Sequence, residues 1–176
     1  MIHNIALVGC GNVGNALLEI LNEKRAELSE KHGFNFRVTL VTDLMKGTAL
    51  DPEGLDLEKI VSDLKEGKNL DSFPKAQGSI GELLAQSNTT MMAEATPTDL
   101  KTGEPGLTHI RAALSRGIHV TTTNQGPVAL AFDELTTLAK SCGAKFRYEG
   151  VVMSGTPLLQ MLHYGMAGCT VLKLEG

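Results

Sequence analysis

The residues best suited to chemistry begin at "GCGNVG", where Gly9, Gly11 and Gly14 fall in the GxGxxG spacing between an apolar run and a helical pattern. Each glycine has a mechanical purpose there. The first permits a tight turn, the second lets a pyrophosphate reach the backbone, and the third lets helix and strand pack closely. Free N–H groups around Asn12 and Val13, at the positive end of the helix, would face the phosphates. Asp43 closes the next apolar run. It matches the acid that accepts a hydrogen bond from an adenine-ribose 2′-hydroxyl, although it lies beyond the usual spacing of about 20 residues. A long intervening helix accounts for the excess. A carboxylate there favours NAD over NADP, Lys46 would blunt that preference, and an aspartate in this place also suits the cap of a turn.

Three later loops carry further candidates. "EATPTD" sets the Thr96 and Thr98 hydroxyls on either side of Pro97, a turn that could line the nicotinamide ribose or be a plain hydroxyl-bonded turn. In "TTTNQGP", Asn124 can use both halves of its amide on a ribose or a ring carboxamide. The neighbouring Gln125 hydrogen-bonds but exchanges no proton. In "YEGVVMSGTP", Glu149 is followed by a bend, and a carboxylate with nearby carbonyls suits a hard cation as well as a structural bend. The five histidines are scattered, His109 falls mid-helix, and no GxSxG or Cys–His constellation occurs. No catalytic acid or base is identified by motif.

These loops need strands and helices to position them. "NIALVG" reads as a strand buried on both faces. "NVGNALLEILNEKRAELSEKHG" reads as one long helix closed by Gly33, and "FNFRVTLVTD" as a second strand. Residues 44–80 are less regular, with a short helix capped by Asp56. "SIGELLAQS" is a short helix, "TTMMAEAT" a buried strand, "EPGLTHIRAALSRG" a helix and "IHVTTTN" a strand. "VALAFDELTTLAKSCG" is a further helix, followed by "AKFRYEGVVM" as a strand. Alternation of this kind predicts an α/β chain with a Rossmann-like, doubly wound and mostly parallel sheet, helices on both faces. The whole of 1–176 reads as one dinucleotide-binding domain. "VLKLEG" begins another strand, which either joins the sheet edge or runs on into a longer parent.

Composition bounds the function. At 176 residues with 42% apolar and 20% charged residues, the chain suits one ordinary globular domain. A net charge of −4 without a basic stripe argues against nucleic acid as a partner. No apolar run approaches the 18 or so residues of a membrane span. The N-terminus lacks a basic n-region and a cleavage site, so it reads as a first strand. Cys10, Cys142 and Cys169 have no CxxC spacing, which suits reduced thiols in the cytoplasm.

Four segments, "GCGNVGNALLEIL", "ATPTDLKTGEP", "HVTTTNQGPVAL" and "RYEGVVMSGTPLLQML", resemble in order those of the N-terminal nucleotide-binding portion of homoserine dehydrogenase. The similarity runs from residue 4 to 176. The resemblance implies hydride transfer between homoserine and aspartate 4-semialdehyde with NAD or NADP, on the route to threonine, methionine and isoleucine. It implies a pyrophosphate held by Gly9, Gly11, Asn12, Val13 and Gly14, and Thr96, Pro97 and Asn124 near the nicotinamide half. It also implies a cation, monovalent in some members, at Glu149 with the carbonyls of Val152, Ser154 and Thr156. Two departures stand out. Gln125 occupies the place of the family's lysine in an "NKGP" loop. The substrate domain, where the family carries its catalytic lysine and acids, does not follow. The chain therefore reads as the nucleotide-binding part of such an enzyme, or as a stand-alone dinucleotide module or sensor. A related dehydrogenase of another amino or oxo acid is a third reading. A homo-oligomer or a catalytic domain outside this sequence would complete it.

Overall fold

The structure, a computed structural model, describes residues 1–173 and Glu175. Strand β1 (Ile2–Val8) buries both faces. Ile5 and Leu7 join one hydrophobic cluster, while Ala6 and Val8 join another on the opposite side. Period-2 alternation thus explains why the run is apolar throughout. Helix α1 (Asn12–Glu23) covers the first side with Leu18 and Leu21. The single helix expected to Gly33 is instead two. Lys24 leaves helical geometry (φ −100°, ψ 12°), and α2 (Arg25–His32) follows with no buried residue. Beyond Leu21 the apolar stripe thins, so packing no longer keeps the axis straight. Gly33 does end the helix, in the left-handed conformation (φ 62°).

Strand β2 (Asn35–Asp43) pairs parallel with β1 and then turns back through Leu44–Lys46 into β3 (Gly47–Leu50), antiparallel to it. This short edge strand lies where the sequence looked irregular. Helix α3 (Leu57–Lys65) follows, with Asp56 accepting from the Lys59 amide as its cap. Helix α4 (Ile80–Gln86) opens on a capping box of Ser79 and Glu82. Then come β4 (Met91–Glu94), α5 (Gly106–Leu114), β5 (His119–Thr122), α6 (Gln125–Ser141) and β6 (Phe146–Arg147).

The sheet order is β3-β2-β1-β4-β5-β6, parallel except for β3. Helices α1 and α3 pack over one face, and α4, α5 and α6 over the other. The expected doubly wound α/β fold is therefore present. The chain runs outward from β1 to β3 and returns beside β1 as β4. The carboxyl ends of β1 and β4 thus flank the point where the winding reverses, the place at which such sheets take ligands.

The strand expected over 144–153 shrinks to two residues. After β6 the chain leaves the sheet in a 3₁₀ turn (Glu149–Val151), and Met153 and Ser154 adopt left-handed φ values of 55° and 52°. A three-residue helix α7 (Leu158–Gln160) and a π turn (Met161–Gly165) follow. Residues 171–173 form no strand, so the edge strand expected at "VLKLEG" is not made there. Leu174 and Gly176 of that stretch lie outside the described residues.

Candidate dinucleotide-binding site

The three loop glycines have separable causes. Gly9 has φ 99°, and a Cβ placed on it would lie 2.5 Å from the Ala95 carbonyl oxygen. A Cβ on Gly14 would run into the Gly9 carbonyl. Both glycines are demanded by the protein's own backbone, which crosses there from β1 into α1 against β4. Gly11 is different. Its backbone is extended (φ −75°, ψ −163°), and no heavy atom of the described residues lies within 4 Å of a Cβ built there. The fold leaves this corner open.

The start of α1 is open in a second sense. Helices α3, α4 and α6 are capped by the side chains of Asp56, Ser79 and Asn124. Among the described residues α1 has no side-chain cap and no acid in its first turn. Asn12 and Val13 are exposed beside Gly11. Their amides and the positive end of the helix dipole are thus left to an anion.

Asp43 sits at the carboxyl end of β2 with both oxygens engaged. Oδ2 accepts from the Cys10 amide at 2.8 Å; Oδ1 accepts from Met45 at 2.9 Å and Lys46 at 3.1 Å. It thus caps the hairpin turn, as one sequence reading had it, and also accepts from the glycine loop. Burial works against its charge, but the three amides and the Lys46 ammonium together hold its carboxyl below the usual range. Lys46 donates across the loop to the Cys10 carbonyl at 2.7 Å, tying the two halves of the corner together. Cys10 is buried, and its thiol is pushed up to about 12, by burial first and by Asp43 second. It is an inert spacer there rather than a nucleophile.

A buried carboxylate unnoticed in the sequence organises the neighbouring loops. Glu94, 1% exposed at the end of β4, accepts from the Thr96 amide (2.9 Å), the Thr96 hydroxyl and the Thr122 hydroxyl (2.7 Å). Asn124 continues the network. Its Oδ1 accepts from the Gly126 amide, and its Nδ2 lies 3.3–3.4 Å from acceptors on Thr96 and Pro97. At 2% exposure Asn124 has its amide turned inward, holding the 96–97 loop to the start of α6. The sequence reading expected this amide to meet a ligand; in the fold its hydrogen-bonding groups have protein partners. The one sequence signal for Glu94 was an acid closing an otherwise apolar strand.

Thr96 and Pro97 line a cleft of about 790 Å³ between the β2–β3 turn and α4–α5, together with Asp43, Leu44, Met45 and His109. Gln125 is the exposed first residue of α6. Glu149 lies apart, beside the 3₁₀ turn. Its Oε1 accepts from the Leu159 and Gln160 amides, capping α7, and the Thr156 carbonyl accepts from Leu158. Two of the four oxygens expected around a cation thus have backbone partners. Among the described residues no three His, Cys, Asp or Glu side chains cluster as a metal site.

Comparison with known proteins agrees with this fold. No family model matches the chain. A NAD(+)-dependent homoserine dehydrogenase of Pseudomonas canavaninivorans is 34% identical over 186 residues, covering 99% of this chain and 50% of that protein. The similarity is to homoserine dehydrogenases. The enzyme of Methanocaldococcus jannaschii is 30% identical over 98% of this chain and 52% of its own length. A hyperthermophilic archaeal homoserine dehydrogenase mutant, solved in complex with NADPH, superposes with a TM-score of 0.80 at 30% identity. That match covers 96% of this chain and 50% of the other. The chain thus spans about half the length of the curated relatives it matches. The resemblance read from the four ordered motifs holds over nearly its whole length. No helix among the described residues is long and apolar enough to cross a membrane.

Proposed function

We propose that residues 1–176 form the NAD(P)-binding domain of a homoserine dehydrogenase-type oxidoreductase. The observation that carries this reading is the open corner at Gly11, at the start of an uncapped helix and at the reversal point of the sheet. A nicotinamide dinucleotide bound there would accept a hydride from homoserine, or as NAD(P)H deliver one to aspartate 4-semialdehyde, a step in threonine and methionine biosynthesis. The Asn12 and Val13 amides hold its pyrophosphate, with Gly11 giving room. Asp43, already fixed by three amides, accepts from the adenine-ribose 2′-hydroxyl. Thr96 and Pro97 border the path toward the nicotinamide half, and Gln125, at the positive end of α6, is a neutral hydrogen-bonding contact near it. Glu94 and Asn124 hold those two loops in register without touching the cofactor. Catalytic acid–base groups are not assigned to residues of this chain. The three free thiols, one buried and two exposed, support a cytoplasmic setting.

Between a dehydrogenase part and a stand-alone sensor, the relatives described above favour the former, since both carry the dehydrogenase name. Fluorescence titration with NADH tests the reading. Saturable binding at micromolar to low-millimolar cofactor is expected, and no binding at millimolar NADH would sink it.

A further inference from the structure

In the cleft that Asp43 lines, one side chain has no hydrogen-bond partner among the described residues. His109 lies one turn into α5 and lines the cleft near Pro97 and Pro105. Its Nδ1 is buried without a hydrogen-bond partner among the described residues. Nε2 makes no such bond either, yet it is not among the buried unpaired atoms, so it is the nitrogen open to the cleft. A buried N–H without an acceptor is the rarer and costlier orphan, so the proton belongs on Nε2. Burial holds the imidazole below its ordinary value, outweighing the opposing pull of Glu94 from β4 and Glu104 from ahead of α5. Asp43 and Asp99 are the other acids lining the cleft. At neutral pH the ring is a neutral donor.

Another part of the lining is apolar and uncovered. Leu44 is 97% exposed and Met45 86%, and both line the cleft. A flat heteroaromatic ring set against them would cover surface that the fold leaves to water. A base whose ribose is held at Asp43 would lie in the cleft that His109 lines, its far edge directed away from Asp43. On adenine that edge carries an acceptor at N1; on guanine N1 carries a hydrogen.

We propose that His109 is a base-reading residue, its Nε2–H donating to adenine N1 and so selecting adenine over guanine dinucleotides. This rests on the dinucleotide reading above. Guanine would set two donors face to face. Moving the imidazole proton to Nδ1 would relieve that clash only by creating a buried N–H with no acceptor.

The test titrates NADH and its guanine analogue against wild type, His109→Leu and His109→Gln, with melting curves to verify folding. Wild type is expected to bind NADH at least tenfold more tightly than the guanine analogue. In His109→Leu that ratio should fall at least fivefold, chiefly through weaker NADH binding. His109→Gln, whose amide both donates and accepts, should recover NADH affinity without recovering the ratio. An unchanged ratio in His109→Leu, including equal weakening of both ligands, overturns the proposal and leaves His109 a packing residue. Absence of NADH binding by wild type overturns the dinucleotide reading itself.

Discussion

Substituting alanine at each loop glycine in turn separates what the fold requires from what a ligand requires. At Gly9 the new Cβ meets the Ala95 carbonyl at 2.5 Å, and the residue must hold φ 99°. Left-handed strain costs ~1–2 kcal/mol, and overpacking against backbone adds ~1–3 kcal/mol. Gly14→Ala has no φ penalty, but its clash is with the Gly9 carbonyl, so strand and helix must separate; that costs ~1–3 kcal/mol or more. Gly11→Ala meets no described atom, and its φ of −75° is open to alanine. Its stability should change by under ~0.5 kcal/mol, or rise slightly through loss of unfolded-state freedom. At ~2–4 °C per kcal/mol for a domain of this size, Gly9→Ala and Gly14→Ala should melt several degrees lower, and Gly11→Ala should not. NADH affinity should nevertheless fall at least tenfold in Gly11→Ala, because the methyl occupies the space meant for the pyrophosphate. Paired thermal melts and NADH titrations read both axes. A Gly11→Ala variant that binds NADH like wild type would refute the argument, as would one that melts as low as Gly14→Ala.

Three further outcomes follow from the same geometry. Lys46→Met removes the ammonium that offsets Asp43 against a 2′-phosphate, so NADPH affinity should drop about fivefold, equivalent to ~1 kcal/mol, with NADH changed less than twofold; parallel titrations of the two cofactors decide it. Glu94→Ala leaves the Thr122 hydroxyl and the Thr96 amide without their acceptor in a buried place, costing ~2–4 kcal/mol by denaturant unfolding, whereas a loss under 1 kcal/mol would show the network to be dispensable. Asp43 has a depressed carboxyl, so its contribution is present above the unfolded value near 3.8 and lost as pH falls through the lower folded value. The stability gap between wild type and Asp43→Asn should accordingly be constant from pH 7 to 5 and narrow below about pH 4; a gap that narrows at neutral pH instead would contradict this.

How much was legible in the chain depended on how far each interaction reaches. The GxGxxG turn, the Asp56 cap and the Gly33 stop are decided within a few residues, and each lies where the sequence placed it. The buried parallel strands were readable as well, because helices on both faces force an unbroken apolar run. Edge elements were not. β3 has four residues and depends on pairing with β2, and the chain after β6 turns away because Glu149 caps α7 ten residues on.

The amino-acid sequence by itself determined the doubly wound class and the glycine corner, since periodicity and turn chemistry are local properties. Only the tertiary structure decided what the polar side chains do. It turned Asn124 inward as a clasp, gave Glu94 three donors from two strand ends, and set His109 in the lining of the cleft that Asp43 shares. Those roles depend on which loops meet across the sheet, and strand order is settled by packing between segments far apart in the chain.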